Sequence, residues 1–128
     1  MATTSFGKYL RKRRLALLAK DGNYSLRRVA RASGLEPSFL SKIERDVAPP
    51  PSERKIKALA RAIGEDPDIL LALAGKISTD LQEVILKRPR LFAELLRILR
   101  RAPDGHVSGM IREARAKYGT EKVFFGGG

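Results

Sequence analysis

Ser38 and Ser41, like Lys42 and Arg45, are three residues apart, and Ser38–Lys42 and Ser41–Arg45 are four apart, which puts all four on one face of a helix. Two hydroxyls, an ammonium and a guanidinium supply hydrogen-bond donors and acceptors. They lack the paired base a nucleophile needs. Lysine can donate to guanine O6 and N7, and serine can serve several bases. Ser38 near the helix start and Lys42 one turn later are the side chains expected to reach base edges. Arg45 at the helix end, with Arg27 and Arg28 upstream, is better placed for phosphate oxygens. Backbone amides at two helix N-termini, one of them opened by Ser25, can donate to further phosphates. Pro37 and Phe39 have no side-chain hydrogen bond to offer. Phe39 could touch a thymine methyl or serve a core or an interface.

Catalytic chemistry has little to work with. The only histidine, His106, sits beside Gly105 in a break, with no hydroxyl, thiol or carboxylate set around it in sequence. Asp66, Asp68 and Asp80 read as capping residues near helix starts rather than metal ligands. There is no cysteine and no phosphate-loop or dinucleotide fingerprint. The chain is therefore expected to be a binding protein without cofactor or metal, not an enzyme.

The elements that must hold these residues are helical, because strand patterning is nearly absent. A first helix is expected from near Ser5 to about Ala19, with Phe6, Leu10, Arg14 and Leu17 inward, and Lys20–Asn23 breaks it. Ser25 caps a second helix carrying Leu26, Val29 and Ala30, and Gly34 ends it. Pro37 opens a third helix with Leu40 and Ile43 inward. After a stiff loop, Asp46–Ser52, a fourth helix buries Ile56, Leu59, Ala60 and Ile63 and closes at Gly64. Asp66 and Pro67 start a short fifth helix with Ile69, Leu70 and Leu73 inward, stopping at Gly75.

Two short helices joined by a glycine turn, with small Ala30 where they must touch, form a helix-turn-helix. Its second helix would lie in the major groove of double-stranded DNA. Charge agrees with that partner. The chain carries +12 overall, and residues 1–63 hold 15 Lys/Arg against 5 Asp/Glu, so the excess belongs to this half. Arg14 and Glu44 both fall on inward faces. Either they meet in a buried bridge that fixes helix three against helix one, or both reach out to water.

From Phe6 to Gly75 the chain resembles the Cro and phage-repressor (Xre-like) helix-turn-helix family, a five-helix all-α domain. The resemblance rests on Leu10 and Arg14, Ser25-Leu-x-x-Val-Ala30, Gly34, Leu40-Ser-x-Ile-Glu44 and Leu59-Ala-x-Ala-Ile-Gly64. It implies sequence-specific DNA binding as a dimer, usually for repression. It also implies base-facing places for Pro37, Ser38, Ser41 and Lys42, and a structural ion pair for Arg14 and Glu44. Three features depart from the family pattern: a longer Leu18–Asn23 link, Asp46 in place of glycine or asparagine, and a triple proline before helix four.

Residues 1–75 are thus expected to form the DNA-binding domain and residues 76–120 a C-terminal helical segment, with a flexible tail at 121–128. In that segment Thr79 or Asp80 caps a helix with Leu81, Val84 and Ile85. Leu91–Leu99 forms a strongly apolar helix, and after a break at Ala102–Gly105 a last helix aligns Val107, Met110, Ile111, Ala114 and Tyr118. Such helices hold more apolar surface than a solvated tail can carry. They either pack back on the first domain or pair with a second chain, and a homodimer is expected, with a protein partner for residues 76–120 as the alternative. The start lacks a signal-peptide pattern and no apolar run reaches a membrane span, so a cytoplasmic protein is expected.

Overall fold

Residues 4–121 are described by the computed structural model, and all regular structure among them is helical. The α-helices are α1 (Phe6–Leu18), α2 (Leu26–Ala32), α3 (Pro37–Glu44), α4 (Glu53–Ile63), α5 (Pro67–Leu73), α6 (Thr79–Lys87), α7 (Pro89–Arg101) and α8 (Asp104–Tyr118). Their boundaries follow from capping chemistry. Ser5, Ser25, Ser52 and Asp66 each accept a backbone N–H of the first turn of α1, α2, α4 and α5. Proline opens α3, α5 and α7, where its missing N–H costs nothing. Gly34 and Gly64 take φ of 69° and 66°, the left-handed conformation that turns the chain out of α2 and α4.

The residues divide into two compact units, one reaching Ser78 and the other starting at Thr79. In the first, α3 packs against both α1 and α2, while α4 packs against α5, α2 and α1. Leu10, Ala30, Leu40, Ile56, Leu59, Ala60, Leu70 and Leu71 have no exposed surface, and Phe6, Val29, Ile43 and Ile63 have almost none. Each such Leu, Ile or Val withdraws ~1.5–3 kcal/mol of apolar surface from water. Polar links tie the helices together further. The Tyr9 hydroxyl donates to Glu65, and this hydrogen bond, with partial burial, pushes the phenol above its usual value of 10.0. Lys55 Nζ donates to the Gly34 carbonyl at 2.8 Å, and Lys76 Nζ to that of Pro51 at 3.0 Å.

Several details differ from the sequence expectation. In α5 Leu71 is buried while Ile69 is 49% exposed, because Ile69–Leu73 is apolar all round and one short turn of helix defines no stripe. The Leu18–Ser25 link is not a plain break: Asp21 caps a 3-10 turn, Gly22–Tyr24. α6 begins at Thr79 itself, so Thr79 and Asp80 lie within the helix rather than before it. α8 begins at Asp104, so the break between the last two helices shortens to Ala102–Pro103, with Pro103 in extended conformation at the N-cap. Apart from Glu121, the tail expected at 121–128 lies outside the described residues.

In the second unit α6 packs against α7. None of its three helices contains a buried residue. Instead Leu91, Leu95, Leu96, Ile98 and Leu99 of α7 are each 39–61% exposed. At 100° per residue these five share one side of α7, and Arg90, Glu94, Arg97, Arg100 and Arg101 take the other.

Candidate nucleic-acid interface

An eight-residue helix has little stability of its own, so the fold must supply the order of α3. Leu40 and Ile43 anchor it in the core, and Glu44 ties it to α1. Arg14 Nε and Nη2 donate to Glu44 Oε2 and Oε1 at 2.7 and 2.8 Å, a two-pronged pair with both side chains under a tenth exposed. Arg14 Nη1 also reaches the Tyr24 carbonyl, at 3.3 Å. One guanidinium thus joins α1, the end of α3 and the turn leading into α2.

A second restraint comes from Gly7, whose Cα lies so close to the Ile43 carbonyl that no side chain fits between α1 and α3. Beyond Ile43 the chain leaves α3 through Asp46, at φ 60°. A non-glycine residue is strained there, and Asp46 accepts a 3.0 Å hydrogen bond from Ser5 Oγ that offsets part of the cost. Glycine or asparagine would take that φ at lower cost.

With the inner side fixed, α3 leaves Ser38 and Lys42 exposed and Ser41 half-exposed. Arg45 is the residue that follows the helix rather than part of it. Its Nε donates to Ser41 Oγ at 3.3 Å, so this hydroxyl is already engaged and keeps only its remaining capacity for a base. Pro37 is half-buried at the first helical position, and Phe39 is 37% exposed. Phe39 therefore lies on the outer side, not in the core.

The cations of α2 lie on its outer face. Arg27 and Arg28 are exposed, and Arg28 Nη1 donates to Asn23 Oδ1 at 2.7 Å. Together with Asn23 and Arg31 they line an open concavity of about 470 Å³. Arg31 is a candidate site residue that sequence reasoning does not single out. Its place four residues after Arg27 was the available signal. Ser25 is half-buried, with its hydroxyl already accepting from the Arg28 amide at 3.3 Å. Glu36 precedes α3 without a side-chain cap bond and is exposed, a carboxylate able to accept from a group such as cytosine N4.

Among the described residues no group of three or more His, Cys, Asp or Glu could hold a metal ion. Among the same residues no helix is long and apolar enough to cross a membrane.

Two short helices, a left-handed glycine turn between them and an outward polar face on the second define a helix-turn-helix. The chain belongs to the helix-turn-helix domain family, a family of DNA-binding domains: its model matches residues 5–73, more than half of the length. No curated protein and no solved structure matches the chain.

Proposed function

We propose that the protein is a sequence-specific regulator of transcription in the cytoplasm, a dimeric repressor of Xre-like type that reads a palindromic operator through the major groove. The observation that carries this reading is α3: a helix clamped to α1 through Arg14 and Glu44, offering Ser38, Ser41 and Lys42 to solvent. So few side chains specify few base pairs. A twofold dimer repeats the site with half-sites ~34 Å apart, which makes up the shortfall.

Base reading falls to Ser38, Ser41 and Lys42, with Pro37 in contact range, while Ser25, Arg27, Arg28 and Arg45 take phosphates. Lys42→Ala should relax sequence preference and weaken the preferred duplex by ~1–3 kcal/mol, whereas Arg27→Ala should weaken all duplexes alike. Duplexes selected from a random pool by the purified protein supply the sequence to be titrated. A pool that returns no preferred sequence, or a Lys42→Ala variant with preference intact, sinks this assignment.

The exposed face of α7 supports dimerisation, since a unit with no buried residue leaves its apolar side to be covered. Leu95→Glu/Leu99→Glu should halve the mass measured by light scattering. The same face also suits a second reading, an antitoxin or immunity-type regulator whose C-terminal helices hold a protein partner. A wild-type chain that is monomeric alone but co-purifies stoichiometrically with one partner through residues 76–120 favours that reading.

A further inference from the structure

We propose that the outer face of α1 is a second phosphate-binding surface, on which Lys8, Arg11 and Lys12 take the DNA backbone beside α3. The inference rests on the DNA-binding reading above and extends its contact surface to a helix outside the helix-turn-helix.

α1 carries its charge unevenly around the helix. The helix holds five cations and no acidic residue. Two of the five are committed inward or sideways. Arg14 holds Glu44, and Arg13 Nη2 donates to the Gly64 carbonyl at 3.4 Å. Lys8, Arg11 and Lys12 follow i, i+3, i+4 spacing, so they share one face, and all three are exposed. None of the three forms an ion pair among the described residues.

That face opens toward α3. Lys8, Arg11, Lys12 and Leu15 line a concavity of about 500 Å³ together with Glu44, Arg45 and Asp46. The Glu44 charge is already matched by Arg14, which leaves four cations against Asp46 alone. Arg45 joins this hollow to the reading face, because its guanidinium contacts Ser41. A helix seated in the ~12 Å major groove has a phosphate strand on each side. α3 packs against α1 as well as α2, and each of these helices carries an exposed cationic face. The α2 face is formed by Arg27, Arg28 and Arg31. The α1 face supplies the same chemistry next to the C-terminal end of α3, where Glu44, Arg45 and Asp46 share its concavity.

Counterion release provides the test, because each lost phosphate contact lowers the slope of log K against log salt by ~0.9. In the full-length chain, Arg11→Ala/Lys12→Ala should reduce that slope by ~1.8. Affinity should fall on the order of tenfold at physiological salt for preferred and random duplexes alike, so base preference stays unchanged. The charge-keeping variant Arg11→Lys/Lys12→Arg should retain the wild-type slope. An unchanged thermal melt shows that the fold is intact. If the double variant melts early, Lys8→Gln alone reads the same face, with an expected fall of ~0.9. An unchanged slope with wild-type binding intact overturns this inference alone. A wild-type chain that binds no duplex overturns the DNA-binding reading and this surface with it.

Discussion

Glu44→Ala should destabilise the first unit by about 3–5 kcal/mol, the cost of leaving a buried charge without its partner. Arg14 is only 6% exposed and cannot reach water without disturbing the core around Leu10. Small domains are stable by only ~5–15 kcal/mol, so one truncation removes a large part of the margin. Urea unfolding reads the loss as a lower midpoint at constant slope. Removing both charges should be far milder, because an apolar pair of similar volume needs no desolvation. Arg14→Met/Glu44→Leu should therefore recover most of the stability, less the bond to the Tyr24 carbonyl. A Glu44→Ala variant within 1 kcal/mol of wild type would mean that Arg14 finds solvent and the clamp is dispensable.

Gly7→Ala is expected to go against the ordinary rule for helices. At an open helical position alanine stabilises over glycine by ~1 kcal/mol. At Gly7 the added methyl would overlap the Ile43 carbonyl oxygen and lie 2.6 Å from Asp46 Oδ1. A backbone carbonyl cannot rotate away, so α1 and the end of α3 must separate, and overpacking of this kind costs about 3 kcal/mol. The predicted outcome is a net loss of roughly 2 kcal/mol together with weaker duplex binding, because α3, the proposed reading helix, shifts with Ile43. Gly109→Ala in α8, where a methyl meets nothing within 4 Å, serves as the control and should stabilise. If both substitutions stabilised, the close approach of α1 to α3 would be wrong.

The sequence made some features plain and left others out of reach. Caps and breaks were readable at Ser5, Ser25, Pro37, Ser52, Gly64 and Asp66, because each acts on its own neighbours through backbone hydrogen bonds or a forced φ. Helices one to four showed their inward stripes, since polar residues interrupt the apolar ones at helical spacing. Helix five did not, because Ile69–Leu73 has no polar side to exclude. The role of Gly7 was invisible for a different reason. A glycine inside a helix carries no sign of what approaches it from forty residues away. The same holds for the Ser5–Asp46 and Tyr9–Glu65 bonds, which depend on how helices cross. For the interface, periodicity gave the outward face of α3. It could not show that Arg45 leans on Ser41, or that Arg31 completes the concavity on α2.

The close seating of α3 on α1 also bears on how the protein meets its ligand. α3 is anchored by Leu40 and Ile43, by the Gly7 contact and by two charge-assisted bonds, so its conformational entropy is already lost on folding. Association with a duplex then involves no coil-to-helix transition in α3. Its heat-capacity change should match the area of a rigid interface, without the excess that accompanies coupled folding. Encounter should be as fast as long-range attraction between the cationic half of the chain and the duplex allows.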